Sequence, residues 1–230
     1  MTKKPRHLAV HSLDFLGRFG IHSFRTLNKT EQADVLENYT KLLVVRNPLV
    51  RAFSSYRQKL GGGGCAPYMR SLGKKIIKSQ RGQVVECGMG VTFHEFINYF
   101  STHVHILGDR HWQRLDGVCQ PCRIKYDHML RLDTGFSDVR YFVEDILNEK
   151  LPETSELLQR NSRGSFDEQI MAENNYERVY KEFANLSVEA FSKVASYYEK
   201  SSRMFGYGST LTDAGMLSSC RYHVGDSDCC

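Results

Sequence analysis

Tryptophan is almost missing from these 230 residues, with Trp112 the single copy, and proline occurs five times. No apolar run approaches the roughly 18 residues that a membrane-spanning helix needs. The basic opening Met1-Thr2-Lys3-Lys4-Pro5-Arg6-His7 leads into no continuous apolar core, so it makes a poor signal peptide. No internal repeat is visible. With 41% hydrophobic and 25% charged residues the composition is that of an ordinary soluble globular protein. That excludes wholesale disorder, a collagen-like repeat and a disulfide miniprotein. The length suits one full α/β domain, or at most two small ones.

Neither sign of charge dominates. The balance of 31 Lys plus Arg against 26 Asp plus Glu leaves a net +5. This favours anionic partners such as phosphates, sulfated glycans, nucleic acid or acidic membrane without choosing among them. A nucleic-acid reading rests on charge alone, because no recognition motif or aromatic platform accompanies it. Cysteine is comparatively plentiful, with seven copies. Cys119 and Cys122 form a C-x-x-C, Cys229 and Cys230 end the chain, and Cys65, Cys87 and Cys220 are scattered. The sequons Asn28-Lys29-Thr30, Asn38-Tyr39-Thr40 and Asn185-Leu186-Ser187, taken with the cysteines, lean towards the secretory pathway. Zinc at Cys119 and Cys122 would need a second ligand pair, which Cys229-Cys230 lacks the spacing to supply. The expectation is no metal, and a local disulfide or packed thiols instead.

Along the chain, Glu31–Asn38 reads as a short helix capped by Thr30. The run Lys41–Arg46 suits a buried strand, and Asn47-Pro48 marks a turn with Pro48 fitted to the first helical position. Leu49, Ala52, Phe53 and Tyr56 recur at helical spacing up to the Gly61–Gly64 loop. Phe93, Phe96, Ile97 and Phe100 form a core stripe after Thr92, and Arg123–Asp133 reads as one or two short strands. A helix is expected over Ser137–Glu149, with Val139, Phe142, Val143, Ile146 and Leu147 on one side. Two more are expected near Ala172–Ala184 and Ser187–Lys200, then a loose Gly/Ser/Cys tail over 208–230. Strands separated by helices imply a parallel α/β sheet in a single domain over 1–207.

The strand–turn–helix around Arg46 carries the chemistry. In an open α/β sheet ligands collect beyond the carboxyl ends of strands, where Arg46 sits. A helix beginning at Pro48 points free backbone N–H groups and its positive end at the same place. Arg46 can fork onto two oxygens of a phosphate, Ser54 can donate its hydroxyl, and Arg51 lies on the same helical side. The alternative is that Arg46 and Arg51 pair with acidic neighbours.

The segment Val45-Arg46-Asn47-Pro48-Leu49-Val50-Arg51-Ala52-Phe53-Ser54-Ser55-Tyr56-Arg57 resembles the V-R-[DE]-P-F-E-R-L-x-S-A-Y-R motif of Golgi carbohydrate sulfotransferases of the chondroitin and dermatan 4-sulfotransferase type. Further ordered segments are similar to that family: Gly73-Lys74-Lys75-Ile76-Ile77 through Gln80-Arg81, Phe93-His94-Glu95-Phe96, His111-Trp112 followed by Cys119-Gln120-Pro121-Cys122-Arg123-Ile124-Lys125-Tyr126-Asp127, and Met204-Phe205-Gly206-Tyr207. Ser201-Ser202 replaces the family's Asp-Phe in the last of these. The resemblance runs from about residue 20 to 207. It implies a P-loop-like sulfotransferase fold and transfer of a sulfuryl group from 3′-phosphoadenylyl sulfate (PAPS) to a hydroxyl of a glycosaminoglycan or other N-acetylgalactosamine-containing glycan. By the same resemblance Arg46 and Ser54 bind the donor's 3′-phosphate, Arg51 is a supporting ion-pair residue, and the chain works in the Golgi.

The family's other anion loop, P-K-[VA]-[GA]-C-[ST]-x-W, which cradles the 5′-phosphosulfate, has no equivalent in residues 1–40. The membrane anchor is not seen either, so the fold is expected to be N-terminally incomplete. A catalytically inactive nucleotide- or glycan-binding fragment is therefore the alternative function. A base must deprotonate the acceptor hydroxyl, and His22 and His111 are the candidates. Trp112 offers a ring for a sugar to stack on. Lys74 and Lys75 offer charge to an acidic polysaccharide, or else a solvated helical face.

Overall fold

A computed structural model of the chain describes residues 20–61, 67–107, 109–134, 137–150 and 178–208, together with 17, 65 and 176. The chain forms two compact units, Met1–Lys41 and Leu42–Cys230. In the first, helix α1 (Lys29–Asn38) follows a single 3-10 turn, Phe24–Thr26. Asn28, not Thr30, sets the start of α1. Its side chain accepts from Glu31 N at 3.0 Å, and Glu31 Oε2 accepts in return from Asn28 N at 2.8 Å. This reciprocal pair satisfies two backbone donors at the helix start, and Thr30 falls inside the first turn.

In the second unit, strand β1 (Leu42–Val45) pairs in parallel with β2 (His128–Arg131), Leu42 opposite His128 and Val45 opposite Arg131. The small parallel sheet is flanked by helices, the α/β class that the alternation of elements implied. β1 is covered on one face only: Leu43 and Val45 are buried, while Val44 is 44% exposed. Of the stretch Arg123–Asp133 only β2 is a strand. The residues before it turn through Gln120, at φ 49°, and Tyr126 donates its hydroxyl to Cys119 O at 2.8 Å.

Helix α2 (Pro48–Lys59) leaves the end of β1 and buries Leu49, Val50, Ala52 and Phe53. A π-helical turn, Met69–Gly73, leads into α3 (Lys74–Arg81), which buries Ile76 and Ile77. Helix α4 (Phe93–Leu107) presents Phe93, Phe96, Ile97 and Phe100 to the core, as their spacing predicts. Some ring edges meet ring faces: Phe53 to Phe93 at 5.0 Å, Phe93 to Phe183 at 5.0 Å, Phe96 to Trp112 at 5.4 Å. Such pairs add about 0.5–1.5 kcal/mol each beyond the area they bury.

Helix α5 (Leu115–Cys119) covers the sheet with Leu115, which joins Leu43, Val45, Met204, Phe205 and Tyr207 in a second, smaller core. Helix α6 (Ser137–Tyr141) runs into a π-helical turn, Phe142–Ile146. The longer helix expected there stops early because only Phe142 of its apolar set is buried, and Ile146 and Leu147 are 40% and 48% exposed. Without a surface to cover, an apolar stripe adds little to a short helix. The helical stretch 178–184 precedes α7 (Val188–Met204), which is capped by Ser187 and seats Val194 and Tyr198 in the main core. The rest of the expected helix from Ala172, and the tail from 209 onward, lie outside the described residues.

The Gly61–Gly64 loop also lies mostly outside them, but Cys65 just after it is joined by a disulfide to Cys87. Beside that bridge two backbones touch, since a Cβ added at Gly88 would stand 2.0 Å from the carbonyl carbon of Gly73. No described helix is long and apolar enough to cross a membrane.

Candidate active site

The turn between β1 and α2 is set by Asn47, which is 1% exposed. Its side-chain oxygen accepts from Leu49 N at 2.9 Å and Val50 N at 3.3 Å. The backbone N–H groups expected to face an anion are therefore already taken, and any grip on a phosphate must come from side chains. Asn47 N in turn donates to Asp133 Oδ2 at 2.8 Å, and the same oxygen accepts from the Tyr207 hydroxyl at 2.5 Å. The Tyr176 hydroxyl also bonds to Asp133. Burial first, with the bond to Asp133 adding to it, raises the Tyr176 phenol above its ordinary value; the charge of Arg46 opposes that rise.

Asp133 thus ties together the ends of both parallel strands and the closing Gly206-Tyr207 segment. Its loaded carboxylate forms no ion pair with Arg46. Among the described residues Arg46 makes no hydrogen bond or ion pair, and neither does the Ser54 hydroxyl; both side chains are half-buried. An arginine without such a partner just past the carboxyl end of a parallel strand suits a phosphate group.

Arg51 forms no ion pair among the described residues, where the resemblance implies a supporting one. Among the described residues it meets no acidic partner; its Nη1 donates to Arg110 O at 3.4 Å, and its buried Nε and Nη2 have no partner. Burial lowers its pKa, partly opposed by Tyr198, Cys119 and Tyr197 around it. One turn further along α2, Ser55 Oγ donates to His111 O at 3.0 Å. These two bonds fasten the loop 109–113 along α2, the helix that carries Ser54.

His111 is the most elaborately held polar group of that loop. Its Nδ1 lies 2.5 Å from Asp109 Oδ1, which also accepts from His111 N at 2.8 Å. The other carboxylate oxygen accepts from the Tyr68 hydroxyl at 2.6 Å. Burial and that bond push the Tyr68 phenol up to about 12. For Asp109, burial acts to raise the pKa, but the bonds from Tyr68 and from His111 outweigh it and the net shift is downward. The His111 side chain is 39% exposed against 15% for Asp109. The ring meets water while the carboxylate sits behind it.

Trp112 is 1% exposed and packs against Phe96 and Tyr68, so the sugar-stacking role expected of it gives way to core packing. Its carbonyl accepts from the buried Tyr198 hydroxyl at 2.5 Å. Lys75 is exposed and Lys74 half-buried on α3, neither with an ion-pair partner among the described residues. Arg81 on the same helix is tied to Glu95 Oε1 at 2.5 Å. His22 is exposed in the first unit. The sequon residues Asn28, Asn38 and Asn185 are exposed. Cys119 is a free, half-buried thiol and Cys122 is disulfide-bonded, so the two neither bridge each other nor stand as a pair of packed thiols. No cluster of metal-ligating groups occurs among the described residues.

Comparison with known proteins decides the family. The family model described as "Sulfotransferase family" matches residues 10–208. This chain belongs to the sulfotransferase family. Its relatives include human carbohydrate sulfotransferase 9, 34% identical over 137 residues that make up 55% of this chain and 31% of the relative. Mouse carbohydrate sulfotransferase 8 is 27% identical over 217 residues, covering 92% of this chain and 49% of the relative. Zebrafish carbohydrate sulfotransferase 14 is 33% identical over 115 residues, 48% of this chain and 31% of the relative. The chain thus spans between about a third and a half of the length of these relatives. No solved structure matches it.

Sequence reasoning named Arg46, Ser54, Arg51 and His111 as candidates but did not single out Asp109, Tyr68 or Asp133, which the structure bonds to His111 or to the turn after β1. Asp109 had a local signal, an acid two residues before a histidine. Tyr68 and Asp133 act over 41 and 86 residues of chain and left none. At the Ser201-Ser202 departure Ser201 Oγ donates to Asp116 Oδ1, and Asp116 is also paired to Arg114 at 3.2 Å.

Proposed function

We propose that the chain is the donor-binding part of a carbohydrate O-sulfotransferase that moves a sulfuryl group from PAPS to a hydroxyl of an N-acetylgalactosamine-containing glycan, of the chondroitin and dermatan 4-sulfotransferase type. The observation that carries this reading is that Arg46, at the end of β1, and Ser54, on α2, have no hydrogen-bond or ion-pair partner among the described residues, on a strand–turn–helix held by Asn47 and Asp133. Arg46 and Ser54 hold the 3′-phosphate of the donor. Arg51, fastened to Arg110 O, keeps the loop 109–113 against that helix. Bound PAPS supplies the activated sulfuryl group.

The acceptor hydroxyl must lose its proton as it attacks sulfur, and a histidine near neutral pH is suited to take it. Of the two candidates, His111 lies on the loop bonded to α2, with one ring nitrogen tied and the ring open to water. Lys74 and Lys75 attract the acidic polysaccharide. Exposed sequons at Asn28, Asn38 and Asn185 support N-glycosylation and work in the Golgi lumen.

The test is transfer of radiolabelled sulfate from PAPS to desulfated chondroitin, desulfated dermatan and N-acetylgalactosamine-terminated glycoprotein. Incorporation into one of these, lost in Arg46→Ala, is expected. Nucleotide binding without incorporation on any acceptor would favour the other reading, an inactive binding module.

A further inference from the structure

We infer that Asp109, backed by Tyr68, is a positioning residue that fixes the tautomer and aim of His111, leaving Nε2 as the atom that accepts the proton. The inference rests on the sulfotransferase reading above.

A carboxylate only accepts hydrogen bonds, so a ring nitrogen 2.5 Å from Asp109 Oδ1 must carry the hydrogen. In neutral His111 that places the proton on Nδ1 and the free lone pair on Nε2. Asp109 is held in turn. Oδ1 takes the His111 backbone N–H, so the loop and the ring are gripped through one oxygen, and Oδ2 takes the Tyr68 hydroxyl. Tyr68 is fixed by the Lys59 ammonium 4.9 Å over its ring and by edge contacts with His111 and Trp112 at 6.0 and 6.3 Å. Lys59 belongs to α2, so the chain of contacts returns to the helix that carries Ser54.

His111 Nε2 makes no hydrogen bond among the described residues, and the ring is 39% exposed. In the transfer, the acceptor oxygen forms its bond to sulfur as the bond from sulfur to the nucleotide's phosphate oxygen breaks, and the electron pair leaves on that oxygen. The hydroxyl proton passes to His111 Nε2, giving an imidazolium whose Nδ1–H faces the Asp109 carboxylate.

Nitrogen-detected NMR of histidine-labelled protein reads the tautomer directly, without turnover. The expected result is a protonated Nδ1 and a bare Nε2 for His111. In Asp109→Ala the ring shifts to the Nε2–H form that free imidazole side chains prefer. Asp109→Asn, which keeps the volume but replaces acceptor charge with an amide, tests the same point should the alanine variant fold poorly. In the transfer assay Asp109→Ala lowers kcat about 10- to 100-fold with KM little changed, and His111→Ala lowers it about 10²- to 10⁴-fold. Tyr68→Phe has a smaller effect in the same direction.

An Nε2–H tautomer in the unaltered protein, or Asp109 variants with tautomer and kcat unmoved, would overturn the inference. Turnover that survives His111→Ala but is lost in His22→Ala would do the same. A chain that neither binds adenosine 3′,5′-bisphosphate nor transfers sulfate to any acceptor would sink the functional reading instead, and with it the catalytic meaning of the Asp109 contact.

Discussion

Replacing Asp133 by alanine tests the frame that holds Arg46 in place. The carboxylate oxygen accepts from Asn47 N and from the Tyr207 hydroxyl, groups on residues only 1% and 4% exposed. Both donors belong to buried residues, so the substitution takes from each the partner seen here. A buried donor left without a partner costs about 1–3 kcal/mol, which puts the total near 4 kcal/mol. Against the 5–15 kcal/mol by which domains of this size are stable, that is a large share. At about 2–4 °C per kcal/mol, Tm falls by about 8–16 °C.

Tyr207→Phe removes one donor and leaves the carboxylate still engaged by Asn47, so it costs only about 1 kcal/mol. Urea titration of the three proteins measures both values. An Asp133→Ala variant within about 1 kcal/mol of the unaltered chain would refute the reasoning. So would a Tyr207→Phe variant as unstable as Asp133→Ala.

Other outcomes follow from features away from that hub. The bidentate bond from Arg81, with the Thr92 cap adding to it, holds the Glu95 carboxyl at about 2 against an ordinary 4.5. A depressed carboxyl contributes stability that is present above about 4.5 and lost as pH falls towards about 2. Urea midpoints between those pH values should drop steeply for the unaltered chain and less for Glu95→Gln. The Cys65–Cys87 bridge spans 22 residues, so Cys65→Ser, compared under oxidising conditions, should cost about 3 kcal/mol in chemical denaturation. Gly88→Ala forces a Cβ to 2.0 Å from backbone on Gly73 and should cost about 3 kcal/mol or more, seen as a lowered Tm.

The legible parts of this molecule are the local ones. β1, the Asn47-Pro48 turn and α2 could be read from sequence because a short apolar β-branched run, a fixed proline φ and a helical repeat all act within a few residues. The stripe of Phe93, Phe96, Ile97 and Phe100 was legible for the same reason. Asn47 shows where such reading stops. It stands where the family motif has an acidic residue, yet its work is to cap α2 with its own side chain, which takes up the backbone N–H groups the helix start would offer an anion.

Trp112 misled in another way. A lone tryptophan beside a histidine looks like a ligand platform, but Phe96 and Tyr68, 16 and 44 residues earlier, close over it. The partner of Asp109, Tyr68, and the partners of Asp133 at Asn47 and Tyr207 are long-range pairings of the same kind. No periodicity announces them, because they depend on where whole elements pack. Arg51 shares that cause: its ion pair was implied by the family resemblance, and its neighbours Tyr197, Tyr198 and Cys119 come from elements distant in sequence.

The central claim is that Arg46 and Ser54 form a phosphate grip at the end of β1. Calorimetric titration with adenosine 3′,5′-bisphosphate, beside adenosine 5′-monophosphate, tests it most directly. The account predicts that the bisphosphate binds at least tenfold more tightly than the monophosphate. Arg46→Ala should weaken it about 10- to 100-fold, the loss of one charge-assisted pair. Equal affinity for the two nucleotides, or bisphosphate binding untouched by Arg46→Ala in a folded protein, would contradict it.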